Sequence, residues 1–194
     1  MSYAGPDLST YLKRQNCKTA LSQKATHILS GGSSALHHLC TIGIVHRDIK
    51  PQNLLWSDAD NKIVLIDFGM ACCVTDVVAS PGFGTPCYLP PEAAIRSLRG
   101  READMWAFGV VMLMVLGICD LREMPSWDLK QDEESGFVQH NKWIAKVKGM
   151  IKTLPQTPTG NLVRQMLAER ASQRIKPASI VESLHEVANG PLPA

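Results

Sequence analysis

The chain has 194 residues, 45% of them apolar and 20% charged, with a net charge of +2. That composition suits one soluble globular domain with a sizeable core, and so small a charge gives no case for nucleic-acid binding. The longest apolar run, Met105–Cys119, has fifteen residues and includes two glycines, short of the roughly 20 apolar residues a membrane span needs, so it reads as a buried core helix.

In chain order, a turn at Gly5-Pro6 leads into Asp7 and then Leu8, Tyr11 and Leu12 at helix spacing. Ala20–Thr41 reads as a long helix with Ile28, Leu29, Leu36 and Leu39 on one buried face. Gly31 and Gly32 interrupt it, at about 1 kcal/mol each relative to alanine, for no reason visible in the sequence. His27, His37 and His38 are surface or cap residues, and adjacent histidines on a helix point apart rather than chelate. Ile44-Val45 is a short apolar lead into the stretch His46–Asn53, which places a His, an Arg, an Asp, a Lys and an Asn within eight residues. Pro51 rules out a plain helix there. The polar residues therefore lie on a loop between buried elements, where scaffolds carry chemistry.

Leu54–Trp56 and Lys62–Ile66 read as two strands joined by the turn Ser57–Asn61, whose Asp58 and Asp60 are a solvated pair. Asp67 ends the second strand. Asp120–Asn141, with Asp132-Glu133-Glu134, reads as a solvated loop. Trp143–Leu154 has the spacing of an amphipathic surface helix, and a last helix runs to about Val187. Six cysteines, with no C-x-x-C pair and no leading signal segment, read as reduced intracellular thiols, placing the protein in the cytoplasm or nucleus. The adjacent Cys72-Cys73 reads as ordinary thiols, with a redox-sensitive pair as the alternative.

The residue types of His46–Asn53 suit phosphoryl transfer: an Asp to accept a hydroxyl proton, a Lys to meet a phosphate, an Asn to help hold a metal. His46-Arg47-Asp48 and Asn53 stand in the spacing H-R-D-x-x-x-x-N, and Asp67-Phe68-Gly69 follows fourteen residues after Asn53. Gly84–Glu92, ending Pro90-Pro91-Glu92, comes next, with proline where the family pattern has alanine. Asp104-Met105-Trp106-Ala107-Phe108-Gly109 and a final Arg174 complete the order. Near Arg174, Arg170 and Ala171 replace the Asp and Pro of the family's pattern. Together these motifs make the chain resemble a eukaryotic protein kinase, and Lys50, two residues after Asp48, resembles the serine/threonine type.

The resemblance implies a mainly α (α+β) fold: the C-terminal lobe of a protein kinase over residues 1–188, helical with a small β-hairpin, and a tail at 189–194. It covers nearly the whole chain but one lobe. Met1 falls where the family has already spent its N-terminal lobe, with its glycine-rich loop, phosphate-pairing lysine and partner glutamate, so the sequence reads as truncated. The implied reaction is transfer of the ATP gamma-phosphate to serine or threonine hydroxyls of a protein substrate, with ATP and Mg2+ as cofactors. Asp48 would be base and positioner, Lys50 the contact to the transferred phosphate, and Asn53 and Asp67 the magnesium ligands. His46 would be structural, and Arg47 would meet a phosphate on the activation segment Gly69–Glu92. Ser80 is the expected phosphosite there, Thr75 the runner-up, and Thr85 the threonine bracing Asp48 and Lys50. Asp104 would hold the catalytic loop from beneath, and Glu92 would pair with Arg174. The alternative of another class is a non-catalytic kinase-lobe fragment acting as a binding or regulatory module.

Overall fold

The structure, a computed structural model, describes residues 5–14, 18–76, 85–93, 100–125 and 133–189. Helix α1 (Leu8–Arg14) opens at Asp7, whose carboxylate accepts the Thr10 amide at 3.0 Å and so satisfies one of the first-turn donors. Helix α2 (Lys18–Thr41) buries Ala25, Ile28, Leu29, Leu36 and Leu39 along one face. Strand β1 (Ile44–Val45) follows, then β2 (Leu54–Ser57) and β3 (Lys62–Leu65), an antiparallel hairpin with Leu54 opposite Leu65 and Ser57 opposite Lys62. Strand β4 (Cys72–Cys73) returns to pair with β1, Ile44 opposite Cys73.

Helix α3 (Arg101–Val115) is apolar all round beyond its charged first turn and is buried from Ala103 to Val115. A helix of that kind belongs at the centre of a fold rather than on its surface, and α3 packs against α2 on one side and α5 (Pro158–Met166) on another. Helix α4 (Glu133–Thr153) and α6 (Pro177–Asn189) complete the lobe, α6 lying along α2. The architecture is mainly helical with a small hairpin, as the sequence predicts. Among the described residues no helix is long and apolar enough to cross a membrane.

One sequence expectation is corrected. Asp120–Asn141 is not a loop throughout, because α4 starts at Glu133. That helix is amphipathic: it buries Trp143, Ile144 and Val147 and exposes Lys142, Lys146 and Lys148. Over residues 143–153 it has the amphipathic surface pattern expected of it, one side buried and the other exposed. Asp58 is exposed, as expected of a solvated turn, and also acts as a tie: its Oδ1 accepts from the Tyr11 hydroxyl and the Trp56 indole, both at 3.3 Å, and from the Lys24 ammonium, so the β2–β3 turn joins α1 and α2.

The two glycines of α2 also find their reason. A Cβ on Gly32 would stand 2.1 Å from Cζ of Phe108, and one on Gly31 would stand 3.3 Å from Cβ of Ile63. The helix interior is glycine where α3 and the hairpin come closest to the α2 backbone. The helix-propensity cost of glycine is smaller than the cost of pushing the central helix away.

Candidate active site

The site is built where α2, α3 and the hairpin converge. Asp104, in the first turn of α3, is buried, and its two carboxylate oxygens accept the backbone amides of His46 (2.7 Å) and Arg47 (2.8 Å). Burial pushes the Asp104 carboxyl up to about 7, against the pull of those two amides. The clamp holds Arg47 at a φ of 72°. Non-glycine residues keep that left-handed conformation at a cost of order 1–3 kcal/mol, and only where surrounding structure dictates it.

His46 is fully buried. Its Nε2 donates to the Ile66 carbonyl at 3.0 Å, and its Nδ1 accepts the Asp48 amide at 3.4 Å. Burial lowers the imidazole pKa, which keeps the ring in the neutral form those two bonds require. The Phe68 ring meets it edge-on with centroids 4.9 Å apart. One side chain thus ties the His46–Asn53 loop to both the end of the hairpin and the residue after Asp67.

Asp48 is the point of convergence. Its Oδ2 accepts from Lys50 Nζ at 2.6 Å and from Asn53 Nδ2 at 3.1 Å, and its Oδ1 accepts from the Thr85 hydroxyl at 3.1 Å. Lys50 Nζ also reaches the Thr85 oxygen at 3.5 Å. Asn53 sits on the one-turn 3-10 helix Pro51–Asn53 and is buried; its amide nitrogen donates again to the Asp48 carbonyl at 2.8 Å. Both amide donations fix the flip of Asn53 and leave its Oδ1 without a hydrogen-bond donor among the described residues.

Asp67 follows β3 with a φ of 63° and is exposed; one of its oxygens accepts the Gly69 amide at 3.4 Å. The Ile66 amide donates to the Asn53 carbonyl at 3.0 Å, so Asp67 continues directly from the residue beside Asn53. An open amide oxygen and an exposed carboxylate are hard donors. They suit magnesium, which takes one or two protein ligands and fills the rest of its octahedron with phosphate and water. Among the described residues no group of three or more His, Cys, Asp and Glu side chains could make an all-protein metal cage.

The other sequence candidates lie around this centre. Glu92 and Arg174 form a two-pronged ion pair behind it, each oxygen 2.6 Å from a guanidinium nitrogen. Thr75 lies exposed on a short turn, bonded to Asp76 at 3.1 Å and not to the Asp48 cluster. Ser80 lies outside the described residues. Sequence reasoning passed over two others. His140 and Trp143 are buried on α4 and donate to the carbonyls of Leu89 (3.3 Å) and Cys87 (2.6 Å), in the segment that carries Thr85. Their i, i+3 spacing was the available signal, since it puts both on one helix face.

Comparison with known proteins agrees with this geometry. The human calcium/calmodulin-dependent protein kinase type 1B is 36% identical over 94 residues, 47% of this chain and 27% of that protein. The human serine/threonine-protein kinase H1 is 37% identical over 97 residues, 47% of this chain and 23% of that protein. The matched stretches thus span about a quarter of the length of these relatives. Among solved structures, the Cydia pomonella granulovirus kinase PK-1 superposes with a TM-score of 0.65 at 24% identity, covering 92% of this chain and 65% of that one, which places the fold. Residues 1–185 match the family described as Protein kinase domain. The chain belongs to the protein kinase domain family.

Proposed function

We propose that this chain is the catalytic lobe of a serine/threonine protein kinase, transferring the ATP gamma-phosphate to serine and threonine hydroxyls of protein substrates. The observation that carries the reading is the gathering of Lys50, Asn53 and Thr85 on the two oxygens of Asp48. Lys50 in this place, and the likeness to serine/threonine-protein kinase H1, favour that branch of the family.

Magnesium–ATP, when bound, supplies the phosphoryl group and neutralises charge on its oxygens; Asn53 Oδ1 and the Asp67 carboxylate are the groups that would hold the metal. The chain's own work is positioning and electrostatics. Asp48 orients the acceptor hydroxyl and takes its proton as the oxygen–phosphorus bond forms and the bond to the departing diphosphate breaks. Lys50 places a positive charge beside that carboxylate. Thr85 keeps the Asp48 carboxylate from rotating away.

The experiment is transfer of labelled phosphate from ATP to serine/threonine proteins by the full-length protein, beside its Asp48→Asn variant. A drop of about 10²–10⁴ in the variant is expected for loss of a proton acceptor. A second reading, a non-catalytic binding module, draws on exposed apolar side chains beside the site: Ile42 (55% exposed), Phe68 (48%) and Val74 (40%). Wild-type protein that folds, engages a protein partner and transfers no phosphate would establish that reading instead.

A further inference from the structure

We infer that His140 and Trp143 are positioning residues: they hold the Pro86–Leu89 turn, and through it Thr85, on the acceptor side of Asp48, so that α4 governs how the polypeptide around the acceptor hydroxyl is received. This rests on the kinase reading above.

The inference starts from hydrogen-bond accounting in the turn. Cys87, Tyr88 and Leu89 are buried although their backbone is a single 3-10 turn, Pro86–Tyr88. Buried backbone carbonyls need donors. The turn's own bonds run from the Tyr88 amide to the Thr85 carbonyl (3.0 Å) and from the Leu89 amide to the Pro86 carbonyl (3.1 Å). The carbonyls of Cys87 and Leu89 take no part in them. Helix α4 supplies both missing donors, Trp143 Nε1 at 2.6 Å and His140 Nε2 at 3.3 Å. The two side chains, one turn apart on one face, meet alternate carbonyls of the segment.

His140 is not simply core filling. It is 1% exposed, and its Nδ1 is buried with no hydrogen-bond partner among the described residues. A leucine or phenylalanine would fill the same space without an orphaned acceptor. What the imidazole alone contributes there is the bond to Leu89. Burial lowers its pKa and so favours the neutral ring, in which Nε2 carries the donated proton.

The turn is coupled to the chemistry by a short path. Thr85 is the residue before Pro86; its carbonyl closes the turn, and its hydroxyl meets Asp48 Oδ1 at 3.1 Å and Lys50 Nζ at 3.5 Å. A turn that loses one α4 bond leaves a buried carbonyl unmet, so the segment shifts, and Thr85 with it. The acceptor side of the site should then loosen while the Asn53–Asp67 side, built on the hairpin, stays in place.

The test uses the full-length protein with Trp143→Phe, which keeps a large ring and removes the donor, His140→Phe, and His140→Gln, whose amide can still donate. Amide hydrogen exchange at Tyr88 and Leu89 is the first readout. KM for a serine/threonine peptide and KM for ATP form the second. The expected result is exchange at least tenfold faster at those two amides in both Phe variants and near wild-type in His140→Gln, with no change at the amides of His46 and Arg47. The peptide KM should rise several-fold and the ATP KM stay constant. Unchanged exchange at Tyr88 and Leu89, exchange accelerated equally throughout the lobe, or faster local exchange with an unchanged peptide KM would each overturn the inference. Should the wild-type protein transfer no phosphate, the kinase reading fails by itself, and the exchange pattern alone then decides whether α4 positions the turn.

Discussion

Arg174 and Glu92 stand 82 residues apart in the chain and meet in a parallel two-pronged ion pair, 2.6 Å at each prong. The Arg174 side chain is 1% exposed, against 26% for Glu92. Arg174 also donates to the carbonyls of Ala168 (2.9 Å), Glu102 (3.0 Å) and Glu169 (3.2 Å), and its guanidinium lies 5.1 Å from the Trp106 ring. The pair joins the segment 85–93 to α3 and to the turn before α6.

The two partners are not equivalent. Glu92→Gln leaves a guanidinium buried with its charge uncompensated, and we predict a loss of about 3–5 kcal/mol. A double variant, Glu92→Leu with Arg174→Met, should lose less than the sum of its single variants, because no lone charge remains. Urea unfolding of the four proteins measures the coupling; strict additivity would show that the pair contributes no interaction of its own.

Much of the site could be read from sequence because its parts are contiguous. His46, Arg47, Asp48, Lys50 and Asn53 share one short loop, so their spacing carries their grouping. Asp104 and Arg174 lie far along the chain and were placed by motif order rather than by physics. What could not be read was tertiary in origin. Gly31 and Gly32 look like defects until Ile63 and Phe108 are seen against them. The start of α4 at Glu133 lies in a stretch rich in polar residues, which reads as a loop. The β1–β4 ladder is two residues long, too short for any periodicity to reveal. The donors that α4 offers to Cys87 and Leu89 depend on a packing that neither segment encodes alone.

Gly32→Ala should be destabilising, by about 1–3 kcal/mol, although alanine is the better helix former by about 1 kcal/mol. The added methyl would meet the Phe108 ring at 2.1 Å. Gly149, in the exposed part of α4, is the control, since a Cβ there has nothing within 4 Å. Gly149→Ala should therefore stabilise. Opposite shifts in the calorimetric melting temperature are expected, and adding Phe108→Leu to Gly32→Ala should recover part of the loss.

The thiols should react in an order set by burial. Cys73 is exposed and Cys72 half-buried, and as neighbours on a strand they face opposite ways. Cys87 and Cys119 are buried, and burial pushes their thiols up to about 12 and about 11. Because the thiolate is the reactive form, those two should be modified orders of magnitude more slowly than Cys73 in the native protein. Timed alkylation followed by peptide mass spectrometry gives the order, and Cys73→Ser should remove the fastest event among the thiols of the described residues. Early modification of Cys87 would mean that the Pro86–Leu89 turn opens readily.

Asp104 gives a pH signature with a definite sign. Its carboxyl lies at about 7 in the fold, raised from 3.8, with burial as the main cause and the His46 and Arg47 amides opposing it. The folded state therefore binds a proton at this group more tightly than the unfolded state does. The stability this contributes is fully present below about pH 3.8 and is lost as pH rises through about 7. At about 1.36 kcal/mol per pH unit for one proton, the change across that window is roughly 4 kcal/mol. Other groups, such as His46 and His140, titrate with the opposite sign, so the quantity to follow is the stability of wild type minus that of Asp104→Asn. That difference should shrink as pH rises from about 4.5 to about 7, because the Asn variant has no proton to lose. Asp104→Asn should also be the less stable protein at the acid end, since one amide side chain cannot accept both the His46 and Arg47 amides without turning its NH2 group toward one of them. A difference independent of pH, measured by urea unfolding, would show that the two amide bonds outweigh burial and keep Asp104 ionised throughout.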